Sequence, residues 1–458
     1  MKSNLPEAFK ERIIGQLSPD ESERFFASLQ TTSPVTIRNH PVKINSKQHL
    51  PEIPWCKEGR ILPERPVFTL DPHFHAGNYY VQEAGSMLLE PLLSDYIDQL
   101  KDGLILDLCA APGGKSTHLL SLLGKDCTLV CNEIIPQRNK VLRHNLAKWG
   151  YPNTIVTQSN PSQITASGLK FDLTVVDAPC SGEGLFRKDP KAMLEWSPSQ
   201  AQQCAIRQNN ILDEILPALK TGGLLLYSTC TYNPEENDLQ IQRLMETGKF
   251  KLVTPNPPDT IKKTTYGWQA FPHLTSAEGF YCCLLEYTGE EQLFKKTEKL
   301  PKQRSVPFFN ASDWLENAEK YVIYPEGEYL NAATLEVKSA VLQLSTSCYL
   351  RSYGIILGSM KGKNFVPSPE LALSIELKTS SPGIELSHED AIKYLRCETI
   401  TAGSTENGWH LIKFESSPLG WAKHIGNRWN NYFPKEWRIL MNNTINKGTD
   451  DMDNDGGL

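Results

Sequence analysis

Asp177-Ala178-Pro179-Cys180-Ser181-Gly182-Glu183-Gly184 sets a carboxylate, a rigid proline, a thiol and two glycines directly after the apolar run Leu173-Thr174-Val175-Val176. A second thiol arrives the same way, with Gly222-Gly223-Leu224-Leu225-Leu226-Tyr227-Ser228-Thr229 leading into Cys230. A cysteine thiolate is a strong nucleophile and a carboxyl group beside it can hold or move a proton, so these residue types suit covalent catalysis. Either cysteine alone reads equally well as a small buried residue at a strand end, because free cysteine is so often buried. Two of them, delivered to one edge of one sheet, call for more.

The elements that position them follow from the same runs. Short β-branched apolar stretches read as strands of a parallel sheet buried on both faces. Their polar ends then fall past the carboxyl edge, where open α/β sheets bind ligands. From about 89 to 290 such strands alternate with helices, the pattern of a doubly wound α/β domain. Residues 103–108 form the first strand and run into Cys109-Ala110-Ala111-Pro112-Gly113-Gly114-Lys115-Ser116. Glycines there admit a ligand close to the backbone, and the helix that follows offers free N–H groups. A phosphate-binding P-loop would need glycine where Cys109 stands, so that reading fails. A second strand over 127–130 leads to Asn132-Glu133. Glu133 reads as the partner of a ribose hydroxyl pair or as a surface cap of the helix beginning near Pro136, and the preceding glycine loop favours the ribose. A third strand, Thr154 to Thr157, ends near Asn160. A helix is expected over 201–220, with Ala205, Leu212, Ile215, Leu216 and Leu219 on one face and Thr221-Gly222-Gly223 stopping it. Asn233-Pro234-Glu235-Glu236 starts another, and 279–286 closes the sheet.

At 458 residues the chain exceeds one core and should hold about two to four domains. With 40% hydrophobic and 22% charged residues it has the composition of an ordinary soluble protein. No stretch is apolar enough to span a bilayer, and the N-terminus, carrying Glu7, Lys10, Glu11 and Arg12, lacks a signal-peptide core, so a cytoplasmic location is expected. Eleven cysteines without a repeated short spacing suggest neither a disulfide framework nor a metal site. The net charge of −6 speaks against a surface coated with nucleic-acid contacts but leaves local clusters open. Before the sheet, a short helix from Leu5 to Leu17, a strand over 34–38 and proline-rich turns make a small mixed region. After it, Lys295, Lys296, Lys299, Lys302 and Arg304 form a basic linker, either a solvated tether or a phosphate-contacting strap. Residues 306–440 read as more β than α. They end in Gly420-Trp421-Ala422-Lys423-His424-Ile425-Gly426-Asn427-Arg428-Trp429-Asn430-Asn431-Tyr432-Phe433-Pro434-Lys435, whose cations and aromatics suit stacking on unpaired bases and gripping phosphates, while buried aromatics beside exposed lysines would read the same. Residues 449–458 are acidic and expected to be disordered.

A nucleoside-like cofactor beside two thiols suggests one chemistry in particular. Cytosine C5 is a poor nucleophile, but a thiolate adding to C6 turns the ring into an enamine whose C5 can attack an electrophilic methyl. The C5 proton must then leave and the thiolate be expelled. Such a route needs a nucleophilic thiol, a carboxyl group near N3 and the exocyclic amine, and a means of removing the proton. Asp177, Cys180 and Cys230 supply those types.

The stretches 107–115, 177–182 and 228–231, with Phe186-Arg187-Lys188-Asp189-Pro190 and Trp196-Ser197-Pro198, resemble the signature set of the Nol/Nop/Sun RNA cytosine-C5 methyltransferases. The order of regions is similar to that of the bacterial RsmF branch, whose members methylate a cytosine of 16S ribosomal RNA. The resemblance implies an α/β class I (Rossmann-like) methyltransferase domain over 89–290. It also implies a small N-terminal α+β RNA-binding region over 1–88 and, after a linker at 291–305, an intermediate domain at 306–375. A β-rich PUA-like RNA-binding domain at 376–440 and a tail at 441–458 complete the chain. It implies S-adenosyl-L-methionine held by Cys109, Ala110, Ala111, Pro112, Gly113, Gly114 and Lys115, with Glu133 on its ribose. Asp177 would line the pocket between cofactor and base, Cys230 would be the nucleophile, and Cys180 would assist product release. Asn160 stands where the family has an aspartate facing the adenine amine, and its side-chain oxygen can still accept that bond. Glu278-Gly279-Phe280-Tyr281 stands where the family often has Asp-Gly-Phe-Phe. The expected partner is 16S ribosomal RNA, free or within the small subunit, bound by a monomer without metal or membrane. Three rivals remain: a DNA cytosine methyltransferase, against which the second thiol argues; a non-catalytic assembly factor, which has no need of both cysteines and Asp177; and a transfer-RNA enzyme with the same catalytic motifs.

Overall fold

The computed structural model describes residues 5–44, 47–291, 309–362, 364–378, 383–400 and 406–441. The basic linker cations and the acidic tail lie outside them.

A ten-stranded sheet forms the centre. Its parallel part runs Thr154–Thr157, Thr128–Asn132, Leu104–Asp107, Phe171–Asp177, Leu219–Thr229. The order reverses beside Leu104–Asp107, which makes the crevice at its carboxyl end the topological switch point where such sheets hold ligands. Alternation divides the strands between two cores. Ile105, Leu129, Leu173, Val175 and Leu226 face one way, and Leu106, Val130, Ile155, Val176 and Leu225 the other. All are essentially without solvent exposure, so each contributes roughly 1.5–3 kcal/mol of burial. This is the Rossmann-like α/β class expected from the alternating pattern.

The strand beyond Leu219–Thr229 is Phe280–Tyr287, paired antiparallel with it. The helix expected over 201–220 is shorter and earlier. It runs Pro198–Ile215, and after a single turn at Leu216–Ala218 the chain is already the strand Leu219–Thr229. Pro217 ends the helix because it has no N–H to donate and its ring clashes with the preceding turn. Thr221-Gly222-Gly223 therefore lies inside the strand, opposite a register shift at Phe171–Leu173.

In the N-terminal region the helix Glu7–Gln16 is followed by a second, Pro19–Ser28, that the proline signal concealed. Ser18 and Glu21 form a capping box, so Ser18-Pro19 both ends one helix and starts the next. Val35–Asn39 pairs antiparallel with Cys56–Leu62 and Tyr79–Val81. Toward the C-terminus, two further four-stranded sheets cover Val322–Pro367 and Gly383–Asn431. Between strands of the first of these, Leu350–Tyr353 leaves to pair antiparallel with Thr154–Thr157, becoming the edge of the central sheet. Among the described residues no helix is long and apolar enough to cross a membrane.

Candidate active site

Everything singled out for chemistry in the sequence stands at or just past the carboxyl ends of the five parallel strands, but not all of it is in mutual contact. After Leu104–Asp107 the loop 108–113 is pinned by Ala110 N–H on Asn132 O at 2.8 Å. Gly113 adopts φ +111°, and a Cβ there would lie 3.3 Å from Leu142 Cδ1, so the turn into the helix Gly114–Leu123 requires glycine. Asp107 is fully buried. Ser116 Oγ donates to its Oδ2 at 2.6 Å, while Oδ1 has no partner. Burial, only partly offset by that bond, pushes its carboxyl up to about 7.

Lys115 and Asp177 form a pair. Lys115 Nζ sits 2.8 Å from Asp177 Oδ2 and 4.9 Å from the centre of the Phe280 ring. Ser228 Oγ donates to Asp177 Oδ1 at 2.8 Å, a contact set by strand register, which places Asp177 opposite Ser228. Both carboxylate oxygens are thus held, and the aspartate is oriented by its own sheet. Glu133 is buried. Its Oε1 accepts the Ile135 N–H at 2.8 Å, and Arg138 lies 3.2 Å from Oε2 while also donating to Ala111 O at 2.8 Å. Glu133 therefore has a capping contact and a bridge to the glycine loop at once. Asn160 is exposed at the head of the turn Pro161–Ala166, its N–H donating to Gln163 Oε1 at 2.9 Å. It lies past the third strand, away from the thiols.

The two thiols meet. Cys180 Sγ and Cys230 Sγ are 2.9 Å apart, and the Cys230 N–H points at Cys180 Sγ at 3.3 Å. All eleven cysteines are free, so this is a contact of two thiols and not a disulfide. The contact with Cys230, then burial, raises the Cys180 thiol well above the usual range.

Reciprocal carboxylate contacts hold the loops at this separation. Glu236, six residues past Cys230, accepts the Ser181 N–H at 2.9 Å and the Ser181 hydroxyl at 2.5 Å. Glu183, three residues past Cys180, accepts the Tyr232 N–H at 3.1 Å. Gly184 N–H closes on Cys230 O at 2.8 Å, and Ser181 Oγ lies 3.0 Å from Thr231 Oγ1. Both carboxylates are fully buried. Neither had a signal of its own in the sequence: Glu183 is one residue of a longer motif and Glu236 reads as a first-turn acid. Ser228 was hidden for a different reason, since its role depends on strand register.

In the aromatic-basic segment 420–435 the aromatics take the buried of the two arrangements and not the stacking one. Trp421, Trp429 and Phe433 are buried in the C-terminal cores, leaving Tyr432, 39% exposed, as its accessible aromatic ring. Strand alternation turns the tryptophans inward, so they cannot stack on bases. Arg428 and Lys435 are exposed, whereas Lys423 Nζ lies 5.2 Å from the Trp409 ring.

Away from the site, one group among the described residues could hold a metal ion, namely Cys56, Glu90 and His118. His118 Nε2 lies 3.2 Å from Glu90 Oε2 and 3.8 Å from Cys56 Sγ. Burial pushes the thiol up to about 12 and His118 down to about 4, while the Glu90 carboxyl is held below its ordinary value, and the three side chains join the N-terminal sheet to the helix Gly114–Leu123.

Comparison with known proteins bears on the whole chain. A family profile described as 16S rRNA methyltransferase RsmB/F matches residues 96–286. The N-terminal domain of 16S rRNA methyltransferase RsmF matches 5–84, and the methyltransferase RsmF PUA domain matches 381–439. The chain is 30% identical over 440 residues to the ribosomal RNA small subunit methyltransferase F of Shewanella woodyi, covering 88% of this chain and 90% of that one. To the protein of the same name from Salmonella arizonae it is 30% identical over 469 residues, covering 94% and 96%. Among solved structures, a methyltransferase homolog protein from Pyrococcus horikoshii matches with a TM-score of 0.53 at 26% identity, over 62% of this chain and 95% of that one.

Proposed function

The chain belongs to the RsmB/F family of 16S rRNA methyltransferases, in the small subunit methyltransferase F branch, and on that premise we propose that it methylates cytosine C5 in 16S ribosomal RNA through a covalent adduct on Cys230. The observation that carries this reading is the pair of thiols 2.9 Å apart beside an oriented carboxylate at the switch point of the sheet.

S-Adenosyl-L-methionine, when bound, supplies the electrophilic methyl. The crevice suits it: Asp107 Oδ1, at the end of the first parallel strand, is buried without a partner, and Gly113 turns the loop at a positive φ. Cys109 to Lys115 would hold the methionine part, Glu133 the ribose hydroxyls, and Asn160 the adenine amine through its side-chain oxygen. Lys115 acts chiefly by holding Asp177 in place.

Cys230 Sγ adds to cytosine C6, forming the S–C6 bond and moving the ring electrons onto C5. Asp177 would accept a hydrogen bond from the exocyclic amine beside N3, and the Lys115 ammonium paired with it offsets the negative charge that builds on the ring. C5 takes the methyl, its proton leaves to a base, and re-formation of the C5=C6 bond expels the Cys230 thiolate. Cys180, 2.9 Å from Cys230, stands where it can assist the departure of that sulfur.

A deletion strain is expected to lose a 5-methylcytidine from 16S ribosomal RNA, as bisulfite sequencing of total RNA reads it. Loss from a transfer RNA alone would favour the transfer-RNA enzyme instead. For the cofactor, Gly113→Val forces a β-branched residue into positive φ. Calorimetry is expected to show no S-adenosylmethionine binding while circular dichroism keeps its folded form, and unchanged affinity would remove the loop from the cofactor site.

A further inference from the structure

We propose that Arg12, on the N-terminal helix Glu7–Gln16, is a positioning residue for the thiol pair, so that the N-terminal region completes the catalytic site as well as preceding it in the chain; this rests on the reading of Cys230 as nucleophile. Glu183 has no solvent exposure, and the cation that meets it is Arg12, whose Nη2 lies 2.5 Å from Oε1. Its other donors are neutral, the Trp196 indole N–H at 2.9 Å and the Tyr232 N–H at 3.1 Å. Glu183 belongs to the Cys180 loop and Tyr232 to the Cys230 loop, so this carboxylate fixes one loop against the other. A buried carboxylate deprived of its cation must take up a proton or move toward water. Either change weakens its hold on the Tyr232 N–H, two residues from Cys230.

The same helix reaches the second loop directly. Gln16 Nε2 donates to Tyr232 O at 3.3 Å, so the Tyr232 residue is gripped at its N–H by Glu183 and at its carbonyl by Gln16. Phe9, Arg12, Ile13 and Gln16 fall at helical spacings on one face. Phe9 and Ile13 are buried with Phe25, Phe186, Trp196 and Tyr232, residues of both cysteine loops and of the helices against them. Phe9 packs edge-on against Phe186 at 5.0 Å. The helix is thus a wall shared by the two loops, and Arg12 is its charged contact with them.

The test uses the full chain. Arg12→Met keeps length and apolar packing but removes the charge, Glu183→Gln removes the opposite charge, and the double variant removes both. Single-turnover methylation of 16S ribosomal RNA, the Michaelis constants, and the pH profile of Cys230 alkylation by iodoacetamide are measured on each. Arg12→Met is expected to lower kcat by on the order of a hundredfold, the loss that a misplacement of about 1 Å brings. The Michaelis constants should stay within about twofold, the mark of an interaction made after binding, and the alkylation profile should move. The double variant should recover part of the loss, because no unpaired buried charge remains. Unchanged kcat and alkylation in Arg12→Met would overturn the proposal. So would a rise in the Michaelis constant for RNA alone, which would make Arg12 an RNA contact. If Arg12→Met does not fold, Glu183→Gln and the double variant decide, and wild-type kcat with a wild-type alkylation profile in both overturns it. Absence of any covalent RNA adduct in the wild type would refute the Cys230 reading itself, a result separate from these.

Discussion

Cys230→Ala is expected to bind 16S ribosomal RNA and S-adenosylmethionine normally and to transfer no methyl group. The rate should fall by at least about four orders of magnitude, because without the sulfur no enamine forms and C5 stays a poor nucleophile. The substitution trims one side chain at the mouth of the site and leaves the Glu183 and Glu236 contacts in place. Its stability cost should be about 1 kcal/mol. Filter binding, calorimetry and methyl transfer from labelled cofactor separate these effects. A variant that still methylates within tenfold of wild type would mean that Cys230 is not the nucleophile.

Cys180→Ala is expected to do the opposite, transferring a methyl group and then stalling. Its thiol lies 2.9 Å from Cys230 Sγ. Without it the Cys230–C6 bond persists after the methyl has arrived, and a protein–RNA complex should survive denaturing electrophoresis. The complex should vanish in the variant lacking both cysteines. A stable complex from Cys230→Ala and none from Cys180→Ala would reverse the two roles. That result would also revive the mechanism with the Pro179-Cys180 thiol as nucleophile, the one expected of a DNA cytosine methyltransferase.

The parts of the molecule legible in the sequence are those whose signals are local. The strand Thr154–Thr157 and the strand ending at Asp177 show as apolar runs because a parallel strand is buried on both faces and needs no alternation. The candidate crevice follows, since each polar cluster stands at the end of such a run. The contacts that give the site its geometry are not local. Arg12 meets Glu183 across 171 positions and Ser228 meets Asp177 across 51. No spacing rule reaches that far, and Arg12 shows in sequence only as a charge near the N-terminus. The C-terminal aromatics illustrate another limit. Trp421 and Trp429 alternate with cations in the same way whether the rings face a core or a base, and only the pairing of their strands turns them inward. Thr221-Gly222-Gly223 reads as a strong stop signal, yet Pro217, four residues earlier, already ends the helix at Ile215.

The most direct test of C5 chemistry uses 16S ribosomal RNA carrying tritium at cytosine C5. Wild-type protein and S-adenosylmethionine should release one tritium to water for each methyl group incorporated, since substitution at C5 must expel the hydrogen already there. Cys230→Ala should release none. Methyl incorporation by the wild type with all tritium retained in the RNA would place the methyl on another atom and contradict the mechanism.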